Sequence, residues 1–181
     1  MDTINELAAD EPTARIILAI ASEPGDVVTG RMIRTIGASA TVARAIGAEV
    51  PVGPDGDTWQ RRLAPRIDAA HTERVIAEGE RHGMRVLIPG DAHWPSGIDA
   101  LGDRAPFALW AKGDTELLTE PVWERLTVTG ARASTGYGEH VTTELVQSAV
   151  EEGHRVFSGG AYGIDGASHR AALAAGGPTI A

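Results

Sequence analysis

A serine and three glycines stand together in one segment whose residue types could bind an anion. The sequence SGGAYG at residues 158–163 follows the short apolar pair Val156 and Phe157 and precedes an alanine-rich stretch at 167–175. Glycines let the backbone adopt positive φ and let a ligand approach bare N–H groups. A helix that begins directly behind such a turn adds the positive end of its dipole. This pattern is typical of a phosphate-binding turn.

A second candidate loop lies upstream, at residues 130–138, directly after the apolar strand pattern at 126–129. Arg132 is the one fixed cation in this loop, and its planar fork can hold a phosphate in two hydrogen bonds. Two successive strand–loop–helix units place their loops at the same edge of a parallel sheet, because the crossovers are right-handed. We therefore expect residues 130–135 and 158–163 to face one crevice.

These two motifs, in this order, resemble those of the DprA/Smf family of DNA-processing proteins. The positions that carry the resemblance are Gly130, Arg132, Thr135, Tyr137 and Gly138 in the first loop, and Ser158, Gly159, Gly160, Ala161, Gly163, Ile164, Asp165, His169, Ala172 and Leu173 in and after the second. A weaker lead-in at 88–95 and 105–114 is similar to the family as well. The resemblance covers most of the chain from about residue 85 onward.

The resemblance implies a protein of natural transformation, or competence, and DNA recombination that binds single-stranded DNA. Such a protein protects incoming strands and helps load the RecA recombinase, without a cofactor or a catalytic step, and full-length members form homodimers. The DNA- and phosphate-binding residues carried over to this chain are Gly130, Arg132, Thr135, Ser158, Gly159, Gly160, Ala161 and Gly163. The family's sheet continues past its third strand, whereas this sequence stops at Ala181, so we expect a sheet that is truncated at its C-terminus.

The elements that must position the loops divide into a helical part and a sheet. Helical patterns fall at 14–20, 27–36, 40–46, 59–63 and 67–81, with a turn-rich linker at 51–57. Short strands are expected at 85–88, 107–111, 126–129 and 156–157, and a further one begins at Thr179. We predict an α/β fold with a boundary near Gly83. Residues 84–181 form a Rossmann-like parallel sheet, and residues 1–83 form a helical module similar to a sterile-alpha-motif-like or helix-hairpin-helix-like bundle.

Several other residues favour structural roles. Asp165 and His169 lie four residues apart and, with Ser158, invite a Ser-His-Asp interpretation. The serine lacks a Gly-x-Ser-x-Gly elbow, however, and the other two share one helical turn, so we interpret Asp165 and His169 as a structural pair at the start of a helix. Tyr137 recurs with Val141, Leu145 and Ala149, which favours core packing over stacking on a base. The tryptophans predicted to be core or domain-junction residues are Trp59, Trp94, Trp110 and Trp123.

Composition narrows the classes of function. The absence of cysteine excludes disulfides and thiolate metal sites, and the six histidines show no metal-ligand spacing. The formal charge of -9 counts against indiscriminate nucleic-acid binding but leaves room for a local positive groove. No run approaches the roughly 20 apolar residues that span a bilayer, and the N-terminus lacks a signal pattern. We expect a cytoplasmic protein that binds no metal or cofactor and does not contact a membrane.

Two alternatives remain open from the residues. One is a Rossmann-like nucleotide-processing enzyme related to the lysine-decarboxylase-like phosphoribohydrolases, although their Pro-Gly-Gly-x-Gly-Thr turn and catalytic glutamate are not found before Ala181. The other is a non-functional fragment whose incomplete sheet leaves an open edge that favours association.

Overall fold

The structure, a computed structural model, describes residues 2–47 and 56–181. The chain forms two compact units, Met1–Thr119 and Glu120–Ala181. The domain boundary near Gly83 stays a prediction. Of the linker predicted at 51–57, residues 51–55 lie outside the described residues, and Gly56 and Asp57 begin a helix instead.

Helices dominate the first unit. They are α1 (Asp2–Leu7), α2 (Glu11–Ala21), α3 (Val27–Ile36), α4 (Ala38–Ile46), α5 (Gly56–Leu63) and α6 (Ala69–Arg81). Aspartates fix three of the starts, because Asp10, Asp26 and Asp68 each accept a hydrogen bond from a backbone N–H of the first turn. Helix α2 therefore begins three residues before the predicted start at 14, with Pro12 tolerated in its first turn.

The core of this unit is centred on Trp59, which is 2% exposed and donates its indole N–H to Thr29 Oγ1 at 2.7 Å. Phe107 joins this helical core from a segment that follows all six helices. The backbone around Asp103 also approaches α3 closely, since a Cβ added at Gly30 would lie 2.0 Å from the Asp103 carbonyl oxygen. The segment after α6 is therefore part of the packing of the first unit.

Two short strands complete the first unit. Strand β1 (Arg85–Leu87) pairs antiparallel with β2 (Leu109–Ala111), and Val86 lies opposite Trp110. Between and after them, 3-10 turns occupy Ser96–Arg104 and Thr115–Leu118. Trp94 is buried and donates to Asp99 Oδ1 at 2.9 Å, which confirms its predicted core position.

The second unit alternates strands and helices: β3 (Arg125–Thr127), α7 (Gly136–Glu151), β4 (Arg155–Phe157), α8 (Ile164–Ala174) and β5 (Thr179–Ile180), with a 3-10 turn at Val122–Glu124 before β3. The strands are parallel in the order β3-β4-β5. Leu126 lies opposite Val156, and Phe157 opposite Ile180. The predicted α/β fold, with helices first and a Rossmann-like parallel sheet after them, is confirmed.

Two predicted core residues of the second unit are exposed instead. Tyr137 and Trp123 are each 78% exposed. Helix α7 turns Thr142, Val146 and Ala149 inward, so Ala149 of the predicted stripe is buried, whereas Tyr137 and Leu145 are exposed. Val146 packs with Val156, Ala171 and Ala172 beneath the sheet.

Among the helices at residues 2–47 and 56–181, none is long and apolar enough to cross a membrane.

Candidate functional site

The two glycine-containing loops lie at the carboxyl ends of the neighbouring parallel strands β3 and β4. The ladder continues one residue past β3, where the N–H of Val128 donates to the carbonyl of Phe157 at 2.9 Å. Beyond that bond the first loop runs to Thr135 and the second from Ser158 to Gly163. The parallel connection thus brings both predicted segments to one edge of the sheet.

Gly163 is where the two loops touch. Its φ of 80° lies in the region that favours glycine. A Cβ added there would stand 2.2 Å from the carbonyl oxygen of Ala131 and 2.5 Å from that of Arg132. The N–H of the next residue, Ile164, donates to the same Ala131 carbonyl at 3.2 Å. Any side chain at this position would push the Arg132 loop away.

The glycines of the two loops serve different structural purposes. Of the three glycines in the second loop, Gly163 alone has a positive φ. Gly159 instead makes room for a carboxylate, since an added Cβ would lie 2.7 Å from Asp165 Oδ2, and Gly130 makes room for the side chain of Ile164. Gly160 faces open space. Close packing therefore accounts for three of these four glycines, and Gly160 leaves the backbone accessible.

Backbone donors remain available in both loops. Residues 120–181 are all described, and within them the N–H groups of residues 159–163 and 130–135 donate to no protein group. The Ser158 hydroxyl already donates to the Val128 carbonyl at 2.6 Å, whereas Thr135 Oγ1 caps α7 by accepting from the N–H of Gly138 at 3.1 Å and keeps its own O–H as a donor. Ala161 accepts from the N–H of Gly166 at 3.1 Å. The edge thus offers mainly neutral backbone N–H donors, with the Thr135 hydroxyl beside them.

Arg132 is the available cation at this edge. The other three arginines of residues 120–181 are engaged: Arg155 with Glu120 and Glu124, Arg170 with Glu139 at 3.8 Å, and Arg125 with the Glu120 carbonyl and the Phe157 ring. In this fully described part of the chain, Arg132 is exposed and makes no ion pair or hydrogen bond through its side chain. Its guanidinium is free to meet an anion.

Asp165 and His169 each bond to other elements rather than to each other. Asp165 is 7% exposed and accepts a hydrogen bond from Thr129 Oγ1 at 3.2 Å, which ties α8 to the end of β3. His169 bridges the Gly159 carbonyl at 3.2 Å and Thr179 Oγ1 at 2.7 Å, which ties the loop to β5. With the Ser158 hydroxyl donating elsewhere, the three side chains do not form a nucleophile–base–acid chain.

Two exposed tyrosines accompany the loops, and the sequence interpretation missed their exposure. Tyr162 lies inside the second loop and is 89% exposed. Tyr137 lies in the first turn of α7, directly after the first loop. The signal for Tyr162 was available, because an aromatic residue flanked by loop glycines has no regular element to hold it in a core. Among the described residues, no three His, Asp or Glu side chains gather as metal ligands.

Comparison with known proteins gives consistent matches. A sequence family described as DNA recombination-mediator protein A matches residues 85–181, which include both loops. A DNA processing protein DprA of Mycobacterium tuberculosis is 36% identical over 183 residues, covering 94% of this chain and 46% of that protein. The DNA processing protein DprA of Bacillus subtilis is 34% identical over 59% of this chain and 35% of its own length.

A solved structure agrees on the fold. DNA processing protein A (DprA) from Streptococcus pneumoniae superposes with a TM-score of 0.61 at 23% identity, covering 92% of this chain and 54% of that one. The chain spans about half the length of the relatives it matches along nearly its whole length.

Proposed function

The chain belongs to the DNA recombination-mediator protein A family of DNA-processing proteins, and from that premise we propose that residues 120–181 bind single-stranded DNA across the carboxyl edge of β3 and β4. One phosphate meets the guanidinium of Arg132. A neighbouring phosphate meets the N–H groups of residues 159–163. The observation that carries the proposal is that the Arg132 side chain has no protein partner and that the second loop, which contacts the first at Gly163, has N–H groups without protein acceptors.

The exposed tyrosines extend this proposal to the bases. Single-strand binding proteins combine cationic backbone contacts with aromatic side chains on which bases stack, and such stacking tolerates any sequence. Tyr162 and Tyr137 stand after Arg132 in the chain, one in the second loop and one at the start of α7. A duplex hides its base faces, so these side chains favour a single strand over a duplex.

The site binds DNA without cleaving it. Ser158, Asp165 and His169 each bond to other groups, which argues against a Ser-His-Asp triad at this edge and supports binding alone. The wider role proposed here comes from the family resemblance: protection of incoming strands in natural transformation, assistance in loading RecA, homodimer formation and a cytoplasmic location.

The test is the binding of a fluorescein-labelled oligo-dT and of its duplex counterpart, followed by anisotropy between 50 and 200 mM salt. Arg132→Ala removes one phosphate contact. The negative slope of log K against log salt should therefore become less steep by about 0.7, which is the contribution of one phosphate contact in a single strand. Arg104→Ala is the matched control, because Arg104 is an exposed arginine of the first unit with no ion pair among the described residues. An unchanged slope in Arg132→Ala, or equal affinity for the duplex, would reject the proposal, and a folded chain that binds neither would favour the non-functional fragment.

A further inference from the structure

A groove of about 610 Å³ lies in the first unit, away from the two loops in sequence. The end of α2, one face of α6 and the indole of Trp110 on β2 form its walls. Its lining is mainly apolar, with Ile20, Val75 and Met84 beside the indole. Small-molecule sites have volumes of about 300–1,000 Å³ and mostly apolar walls with a few polar groups. The groove fits that description.

Trp110 gives the groove a flat aromatic wall. On α6, the backbone at Gly79 lies close to the indole and holds it in place, since a Cβ added there would lie 3.6 Å from Trp110 Cδ1 and 3.7 Å from Nε1. Trp110 is only half-buried, although it is paired within the strand ladder opposite Val86. Aromatic rings pack well against other planar rings in offset or edge-to-face arrangements. This wall therefore suits a planar ligand.

The charge at the rim is positive on one side. Arg74 lines the groove, is exposed, and makes no ion pair or hydrogen bond with any residue of 2–47 or 56–181. The acid at the rim, Glu78, is already engaged by Arg81 at 3.0 Å and by His82 at 3.3 Å. Arg74 precedes Gly79 by five positions on the same helix, which is about 7.5 Å along the axis. The groove thus has both a cationic and an aromatic side chain among its lining residues.

We propose that this groove binds a nucleotide, with the base against Trp110 and the phosphate at Arg74. A nucleotide matches both features, since its base is planar and its phosphate is the one strongly anionic group. A free nucleoside monophosphate and a single nucleotide within a strand present the same chemistry. The residues that line the groove all belong to the first unit, and this proposal does not rest on the proposed function of the second.

The experiment is a ¹⁹F NMR titration of the full chain with 5-fluoro-2′-deoxyuridine monophosphate, with the uncharged nucleoside 5-fluoro-2′-deoxyuridine as the paired probe. Arg74→Gln weakens the nucleotide about threefold, as expected for one exposed charge pair, and leaves the nucleoside unchanged. Arg104→Gln is the matched control, because Arg104 is an exposed arginine outside the groove, and it should leave the affinities for the nucleotide and the nucleoside unchanged. Equal binding of the nucleotide to the wild type and to Arg74→Gln would overturn the assignment of the phosphate.

Two variants test the base. Trp110→Leu weakens nucleotide and nucleoside alike, by roughly fivefold or more, because it removes the stacking partner. Should this variant fail to fold by circular dichroism, Val75→Phe serves instead, since the added ring fills the groove and excludes both probes. Retention of both probes by a folded Val75→Phe would refute the proposal.

Arg132→Ala separates this proposal from the proposed function. Nucleotide binding that survives in this variant supports the groove, and nucleotide binding that disappears locates the nucleotide at the loops and overturns the groove. In the same background, displacement of the nucleotide by unlabelled oligo-dT shows that the groove also accepts a nucleotide within a strand. If oligo-dT does not displace the nucleotide, the groove binds free nucleotides only, through the same contacts of the base with Trp110 and of the phosphate with Arg74.

Discussion

Substitution of Gly163 by alanine tests how tightly the two loops are joined. The new Cβ would stand 2.2 Å and 2.5 Å from two backbone carbonyl oxygens, which cannot rotate aside as a side chain could. A non-glycine residue in this rarely populated backbone region costs about 1–3 kcal/mol, and overpacking adds about 1–3 kcal/mol. We expect the free energy of unfolding of the second unit to fall by about 3 kcal/mol. The substitution should also displace Arg132 and so weaken the binding of single-stranded DNA.

Gly160→Ala is the matched control, because a Cβ there has open space around it and its φ is not positive. We expect the free energy of unfolding of this variant to change by no more than about 0.5 kcal/mol. Since the chain has two compact units, global unfolding need not be two-state, and hydrogen exchange of β4 and α8 reports the second unit directly. A loss of about 3 kcal/mol makes those amides exchange roughly 100-fold faster. Equal exchange rates in the two variants would refute the steric argument.

Three further outcomes follow from the contacts. Trp59→Phe removes the shorter of two hydrogen bonds to the buried Thr29 Oγ1, leaving only Ser22 Oγ at 3.4 Å, and opens a cavity. The free energy of unfolding of the first unit, measured in urea, should fall by about 2 kcal/mol, and a fall below about 0.5 kcal/mol would contradict the burial of the indole bond. Tyr162→Ala should weaken oligo-dT binding by about 1–2 kcal/mol without changing thermal stability, and an unaltered affinity would remove Tyr162 from the DNA surface. The hydrogen bond from Arg66 holds the pKa of the Glu23 carboxyl below its ordinary value, so Arg66→Gln should raise that pKa in a carboxyl NMR titration; an unmoved pKa would show that Arg66 is not its cause.

The order of elements could be predicted from local sequence because caps and periodicity are local. Helix α3 begins and ends where its apolar period and the Asp26 cap predict. Strands β4 and β5 fall on the short apolar segments after each helix. The parallel crossover then fixes which loops meet, without any information beyond chain order.

What the sequence could not predict depends on contacts between distant residues. The face that α7 buries is set by its packing on β4 and α8, and a four-residue recurrence through Tyr137 could not distinguish that face from its neighbour. The separate anchoring of Asp165 by Thr129 and of His169 by Thr179 likewise depends on strands far away in the chain. The phosphate and DNA roles of the loop residues remain predictions, because their chemistry requires a ligand.

Phe107 has a consequence for the order in which the protein forms during synthesis. The ribosome releases the chain from its N-terminus, and domains generally fold as units once their residues are available. Helices α1 to α6 all emerge before Phe107, which is a buried member of their core. Until that residue arrives, the nascent bundle lacks part of its interior and exposes apolar surface that a chaperone can bind.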